Sequence, residues 1–500
     1  MRSQPKANPY TYLGMTVSIC PDCHRSVPAS LQEKDNKIYM AKTCPEHGRF
    51  KTIVASDAEW YKASLSYTSP SLMVKQYQTE TNLGCPHDCG ICPEHQQNNA
   101  LPAIEITNLC NLDCPICFAD NQGTFHMTSE EMAKCLDTLE ASETQVDALV
   151  LLGGEPTAHP KLPELIEQCY ARPFIKRVVI ATNGILIARR KGLAKRLAEL
   201  NTYILLQLDS IDPEKNKFMR GTDMIRQREE ALETLEKHKL HTTLLMTVIK
   251  GLNDDEIGSL YEYALSKDFI GGFEAQTMSY TGAGGRNIKF DPLDRMTGTD
   301  LIQEIQAQTD GKLKKSDFIP MLHPHPQCVA VTYVLKLEDG TFMPMARFTE
   351  PEVYRKSLLN QFVAAPDERH EAFLQQTIQH VFANQDTIEK GDLILKALRT
   401  LLDDVYPAEE HIEENERLLR IERHIKNVFL HNYMDDHSFD AGVLRKCASM
   451  QVLPDGRMIP QCGFRVLHRY TDPRWKNPNI GHGLDGLRYS LYASQNKEEQ

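Results

Sequence analysis

From residue 103 onward, short apolar runs alternate with longer amphipathic stretches. The runs 103–107, 147–152, 177–182, 203–208, 242–248 and 271–277 are continuously apolar rather than alternating, which is the pattern of strands buried on both faces. Between them, 129–143, 162–171, 187–200 and 227–238 repeat apolar residues at helical spacing. Six strand–helix repeats predict a parallel sheet covered by helices. Six falls short of the eight that close a barrel, so the expected fold is α/β, an open partial (β/α)6 barrel. In such sheets chemistry gathers at the C-terminal ends of the strands.

The flanks read differently. Residues 1–70 form a small Cys-rich module, a zinc-ribbon or rubredoxin-like metal ribbon, and 71–101 is a segment with its own cysteine triplet. Residues 102–310 are the barrel core, and 311–500 are a C-terminal region for auxiliary iron–sulfur sites. Within that region two segments resemble each other. Cys328 and Cys447 each precede an extended run, an Asp-Gly turn (Asp339-Gly340, Asp455-Gly456) and a second extended run ending at Pro344 or Pro460. Asp-Gly between extended runs predicts a hairpin in each. Cys462 closes the second copy, where the first has Met345 or Ala346. Between the copies, 351–430 is charged and helical in period and is expected to be a helical insertion, and the tail QNKEEQ is expected to fray.

Composition narrows the class. Hydrophobic residues at 41% and charged residues at 25% are a globular balance, so the chain is not largely disordered. A net charge of −12 disfavours nucleic-acid partners. The basic run Arg189, Arg190, Lys191, Lys195, Arg196 is expected to be a solvated helix face. No apolar run approaches a membrane span, and the first residues lack the apolar core of a secretory signal, so the expected location is cytoplasmic. In that reducing compartment 14 cysteines are metal ligands or free thiols rather than disulfides. Cys135 and Cys169 stand alone on amphipathic stretches and read as core thiols.

The other cysteines are grouped. Cys110, Cys114 and Cys117 follow the first strand at x3 and x2 spacing and can hold three irons of a 4Fe-4S cluster, leaving one iron open. A structural zinc knuckle would want a fourth ligand nearby. The second strand ends in Gly153-Gly154-Glu155-Pro156, where glycines admit a close approach and the carboxylate can accept from an ammonium group. Cys85, Cys89 and Cys92 repeat the x3, x2 spacing, with His95 after them as a fourth ligand beside a distant cysteine or a substrate. Cys328, Cys447 and Cys462 could meet on folding to hold a third cluster, or remain buried thiols, or complete the second set, with His323, His325 and His437 as extra ligands or loop residues. Cys20, Cys23, Cys44 and His47 have the spacing of one tetrahedral Zn or Fe ion, with His24 competing for the fourth place.

Together, Cys110-x3-Cys114-x2-Cys117 and Gly153-Gly154-Glu155 resemble the radical S-adenosylmethionine (SAM) superfamily over about 103–280. The resemblance implies that the open iron chelates SAM, whose reductive cleavage gives a 5′-deoxyadenosyl radical that abstracts hydrogen from unactivated C–H bonds. It also implies that Gly153, Gly154 and Glu155 meet the methionine amino group. Asn183, Gln207, Asp209 and Arg220 would lie around the ribose or carboxylate, and Val248 near the adenine; the plainer reading of Gln207, Asp209 and Arg220 is strand-end and loop capping. Ile116 stands where that superfamily often has an aromatic residue, and is expected to shield the cluster.

The order of ribbon, GCPxDCGxC, CNLxCPxC, GGEP, LQLDS, HNYMDDHSFD and the paired hairpins is similar to the archaeal tetraether lipid synthase family, earlier regarded as pterin-methylating radical SAM enzymes, and to its bacterial relatives. That resemblance implies one or two auxiliary 4Fe-4S clusters, one Zn or Fe ion, and a reductant such as ferredoxin or flavodoxin. Its reaction would be carbon–carbon bond formation on a lipid-like substrate, or alternatively transferase chemistry that methylates a pterin-like ring carbon. The non-enzyme alternative is an electron-transfer or metal-scaffold protein, which leaves Gly153-Gly154-Glu155 without a purpose.

Overall fold

The computed structural model describes residues 9–67, 70, 72–119, 123–359, 368–407, 409–410, 412–469, 472 and 474. The tail QNKEEQ lies outside them. Near the N-terminus four strands form an antiparallel sheet in chain order: β1 (Thr11–Ile19), β2 (Ser26–Lys34), β3 (Lys37–Cys44) and β4 (Gly48–Ala55). The β2–β3 turn uses Asp35 and Asn36, at φ 53° and 56°, the left-handed pair that a two-residue hairpin asks for.

The core is a run of parallel neighbours, β5 (Ala103–Thr107), β6 (Leu149–Gly153), β7 (Val178–Thr182), β8 (Tyr203–Gln207), β9 (Thr242–Val248) and β10 (Ile270–Thr277), as the apolar runs predict. Helices cross between them. Ser129–Ser142 starts at a capping box in which Thr128 accepts from Glu131 N and Glu131 accepts from Thr128 N. The helix expected over 187–200 is two, Ile185–Arg189 and Leu193–Glu199, because Gly192 turns left-handed at φ 79°.

The sheet continues past both edges of the six. Beyond β10, β11 (Ile319–Pro320), β12 (Val329–Lys336) and β13 (Phe342–Pro344) make an antiparallel group centred on β12. It joins the barrel through β14 (Ile425–His431), which is parallel to β10 and antiparallel to β12. Beyond β5, the hairpin β15 (Met450–Val452) and β16 (Met458–Pro460) attaches where Gln451 pairs with Ala103. Gly340 and Gly456, at φ 79° and 92°, turn the two Asp-Gly hairpins. The stretch expected to be helical to residue 430 is helical only to His424. The segment Ile425–His431 buries alternate residues and is a barrel-side strand, because period 2 replaces the helical period there. Helices Glu368–Ala383, Gly391–Val405 and Glu414–His424 pack their own apolar core around Leu374, Leu398 and Leu401.

Candidate active site and metal centres

The loop carrying Cys110, Cys114 and Cys117 leaves the end of β5 and lines one end of a cavity of about 260 Å3 inside the barrel. Gly153 and Gly154 sit on the same wall, and the backbone packing there needs both glycines. A Cβ on Gly153 would stand 2.1 Å from Thr107 O, and one on Gly154 2.3 Å from Leu109 O. The glycines therefore admit the cysteine loop itself against the end of β6, and Gly154 N and Glu155 N donate to Thr107 O and Leu109 O, both at 2.8 Å.

A second brace comes from the glycine-rich segment after β10, which sequence reasoning passed over although Gly282, Gly284 and Gly285 signal it. Ala283 N and Gly284 N donate to Cys117 O at 2.8 and 3.2 Å. Ile116 is buried with Met219, Met278 and Tyr280 and lines the cavity beside Cys117. Burial pushes the Cys110 thiol up to about 12 and raises Cys114 as well.

Glu155 is 1% exposed. Its Oε1 accepts from Thr157 N, Thr157 Oγ1 and Thr182 Oγ1 at 3.0, 2.5 and 2.7 Å, and Oε2 accepts from Asn183 N at 2.9 Å. Burial lifts its carboxyl above the usual carboxylate range even against these donors. Asn183 reaches across to the cysteine loop, donating from Nδ2 to Asn111 Oδ1 at 2.8 Å. Arg190, one of the supposed solvated basic residues, instead holds the turn by donating to Thr157 O and His159 O at 2.5 and 3.1 Å. Its neighbours Arg189, Lys195 and Arg196 pair with Glu230, Glu199 and Glu167.

On the opposite wall Arg220 ends the helix Pro213–Arg220, which Asp212 caps by accepting from Glu214 N at 2.7 Å. Its Nε donates to Asp209 Oδ2 at 2.7 Å, and Gln207 accepts from its Nη1 at 2.6 Å. Asp209 is fully buried; burial would raise its pKa, but Arg220 and Arg228 beside it, with Thr247 N donating at 2.9 Å, hold it low. Arg220 and Gln207 face the cavity, and Asp209 stands behind them as their anchor. The Val248 side chain belongs to the sheet–helix core, and the inward side chain at that level of β9 is Thr247, because successive strand residues face opposite sides.

The N-terminal quartet is assembled. Cys20, Cys23, Cys44 and His47 bring their ligand atoms within 4.8 Å of one another, the compactness that one tetrahedral ion requires. Cys20 Sγ and Cys44 Sγ lie 3.7 and 3.5 Å from His47 Nδ1. His24 turns away to Asp436, with Nε2 3.1 Å from Oδ1.

Cys85, Cys89 and Cys92 surround a small cavity together with His95 and Arg445. Asp88 shapes their loop, its Oδ2 accepting from the backbone N of Asn82, Leu83 and Gly84 at 2.7, 2.6 and 2.6 Å. His95 Nε2 lies 3.0 Å from Cys447 O, so the second and third cysteine sets are neighbours. A Cβ on Gly463, next to Cys462, would be 3.9 Å from Cys89 Sγ. Burial raises Cys328 well above its ordinary value, and Cys447 and Cys462 add to the effect.

The histidine beside that third set is His431, the first residue of HNYMDDHSFD but not one of the histidines considered as ligands: its Nε2 is 3.6 Å from Cys328 Sγ. His437 instead meets Phe290 edge-on at 5.3 Å, and His323 gives its backbone O to Gln97 Nε2. Burial lowers His325, to about 4. Cys135 and Cys169 are fully buried in the barrel core. Glu105, on β5, was also missed. It is fully buried between Arg465 and Arg469, which follow Cys462. Among the described residues, no helix is long and apolar enough to cross a membrane.

Residues 104–264 match the radical SAM superfamily, and residues 12–56 match the HMPTM N-terminal zinc ribbon domain. The 7,8-dihydro-6-hydroxymethylpterin dimethyltransferase of Methanocaldococcus jannaschii is 31% identical over 495 residues, covering 91% of this chain and 94% of that protein. The GTP 3′,8-cyclase of Syntrophomonas wolfei subsp. wolfei is 36% identical over 179 residues, which cover 34% of this chain and 53% of the cyclase. The solved structure of Streptococcus suis SuiB bound to S-adenosylmethionine is 21% identical, with a TM-score of 0.36 over 43% of this chain and 47% of that one. The signature cysteines and the Gly-Gly-Glu turn thus meet in a partial barrel behind a zinc ribbon, and with a relative matched along nearly its whole length the chain belongs to the radical SAM superfamily, in the family of that dimethyltransferase, and is a radical SAM enzyme.

Proposed function

We propose that this radical SAM enzyme adds carbon to a compact polar ring, as a pterin-directed methyltransferase does, with the lipid-coupling reading second. Membership implies a 4Fe-4S cluster and SAM, and the ribbon implies a metal ion. When bound, the cluster and SAM supply a carbon-centred radical able to abstract hydrogen from an unactivated C–H bond. Cys110, Cys114 and Cys117 would hold the cluster. Three thiols in the lining of a cavity, with no fourth cysteine in their loop, suit a group that leaves one iron for a ligand.

Glu155, with Oε2 taking one backbone donor, keeps acceptor capacity for an ammonium group between Gly154 and Asn183. Arg220, fixed by Asp209 and Gln207, is the cation for a carboxylate. Cys85, Cys89 and Cys92, and Cys328, Cys447 and Cys462, would hold auxiliary 4Fe-4S clusters, and Cys20, Cys23, Cys44 and His47 one Zn or Fe ion. These sites correspond to a ribbon at 1–70, a linking cluster segment at 71–101, a core at 102–310 and an auxiliary region from 311. The setting is a cytoplasmic one, with a ferredoxin- or flavodoxin-type reductant.

The observation that carries the choice of substrate class is the cavity's lining. Gln207, Thr247, Glu274, Gln276, Gln461 and Arg465 all face it. Arg465 and Gln276 already have internal partners in Glu105 and Thr247, but these side chains keep donor and acceptor capacity that a heterocycle with ring N–H and carbonyl groups can use and a long alkyl chain cannot. The experiment is anaerobic incubation with SAM, dithionite and a 7,8-dihydropterin, read by mass spectrometry for 5′-deoxyadenosine and a methylated pterin. An unchanged pterin, alongside turnover of a lipid substrate under the same conditions, would reverse the order of the two readings.

A further inference from the structure

We propose that His431, aimed by Glu274, couples the Cys328, Cys447 and Cys462 site to the reaction cavity by donating its Nε2–H to the Cys328 thiolate. This rests on reading those cysteines as an auxiliary 4Fe-4S site. The ring is positioned by the backbone. On the paired strands β12 and β14, His431 lies opposite Val329, and Asn432 N donates to Cys328 O at 2.8 Å. That pairing leaves Cys328 Sγ 3.6 Å from His431 Nε2. Two further contacts fix the ring plane. His431 Nδ1 is 3.3 Å from Glu274 Oε1, and the ring stacks on Tyr433 at 4.3 Å between centroids and 21° between planes. With the Glu274 carboxylate accepting from Nδ1–H, the ring also donates from Nε2 as the imidazolium, held between a carboxylate and a thiolate.

The distance separates a donor from an iron ligand. A four-iron cluster puts each cysteine on its own iron and spreads the thiolates apart. A nitrogen 3.6 Å from one of those sulfurs has no separate iron to bind, but it stands at N–H···S distance. Hydrogen bonds to cluster thiolates stabilise the reduced, more negative state and so set the potential.

The cavity gives this donor its functional place. The cavity lining includes Val329, Ser449 and Gln461, near chain neighbours of the three cysteines, together with His431. The imidazole touches both the sulfur and the cavity, so the cluster meets a bound substrate through His431. Its role is that of a positioning and tuning residue.

The test uses the full-length protein reconstituted anaerobically, with iron analysis and an EPR-monitored redox titration. His431→Phe keeps the ring and its stacking but removes the donor, and His431→Gln keeps an N–H near the same place. The expected result is full iron content in both. The auxiliary cluster of the Phe variant should be about tenfold harder to reduce, a shift of about 59 mV to more negative potential for a one-electron couple, and the Gln variant should recover most of it. Loss of one cluster's iron in both variants would make His431 a ligand and overturn the proposal. So would an unmoved potential in the Phe variant, or no recovery with Gln. A Cys328→Ser, Cys447→Ser, Cys462→Ser variant that keeps wild-type iron and EPR signals would remove the cluster reading itself. An intact cluster of unmoved potential would remove only the role of His431.

Discussion

Replacing Glu105 by alanine isolates the contact that ties the C-terminal region to the barrel. Glu105 Oε1 pairs with Arg465 and Oε2 with Arg469, and the three side chains are 0%, 3% and 4% exposed. Arg469 also donates from Nε to Ala119 O at 2.6 Å, where the loop of Cys110, Cys114 and Cys117 ends. Removing one partner of a buried ion pair costs about 3–5 kcal/mol, because the remaining charge is left without compensation. At roughly 2–4 °C per kcal/mol for a unit of barrel size, that is a fall of about 6–20 °C in Tm. Thermal unfolding followed by circular dichroism reads it. The control is the triple change Glu105→Ala, Arg465→Met, Arg469→Met, which removes the charges together and should regain most of the loss.

The pH dependence has a definite sign. Burial would raise the Glu105 pKa, but the two guanidiniums hold it below the usual carboxylate range. Its contribution is therefore fully present above the unfolded value and is lost as pH falls through the lower folded one. A Glu105→Ala protein within about 0.5 kcal/mol of wild type, the range of ordinary surface changes, would refute the clamp. So would a triple variant no better than the single one.

Other consequences follow from the site. Changing Cys110, Cys114 and Cys117 together to alanine should abolish 5′-deoxyadenosine formation while the other metal signals persist; continued formation, with loss instead in a Cys85, Cys89, Cys92 variant, would exchange the two sites. Glu155→Gln should weaken SAM binding roughly tenfold or more with unchanged iron, since a charged hydrogen bond contributes about 1.5–3 kcal/mol, and equilibrium binding measures it. Gly154→Ala puts a Cβ 2.3 Å from Leu109 O, so the cysteine loop must shift; iron retention should fall, and full retention would count against that close approach. Cys20→Ala should cost one metal ion per chain and lower Tm while SAM cleavage survives; lost turnover at full stability would give the ribbon a redox role.

What the sequence showed and what it hid divide along one line. The six barrel strands were legible because each is a local run, and the cysteine triplets because their spacing is local. Gly192 broke a helix that periodicity alone had continued. The faces of single residues were less legible: on β9 the side chain of Thr247 lines the cavity while that of Val248 turns to the core, since with a period of 2 one residue is enough to change sides. Glu105 could have been noticed as a charge inside a buried run. Its partners could not, since they lie 360 and 364 residues further along. His431 was hidden for the same reason. Its closeness to Cys328 comes from the pairing of β12 with β14, and β14 itself sat inside a stretch read as helical.

The C-terminal strands explain why the auxiliary cysteines and the reaction cavity share a wall. An open six-stranded sheet leaves two edges and a side exposed, while radical chemistry needs water and competing reactions kept out. Here β14 and β12 extend one edge, and β15 with β16 extends the other. The first group carries Cys328 and His431, and the second is bracketed by Cys447 and Cys462. Both extended edges reach the cavity, whose lining includes Val329, His431, Tyr433, Gln461 and Arg465. The Glu105 clamp holds the second group against β5, the strand that leads into the Cys110 loop. Closure of the barrel side and support of the Cys110 loop are consequences of the same strand pairings. The two Cys-hairpin segments consequently belong to the architecture of the cavity, as Val329, Ser449 and Gln461 in its lining show.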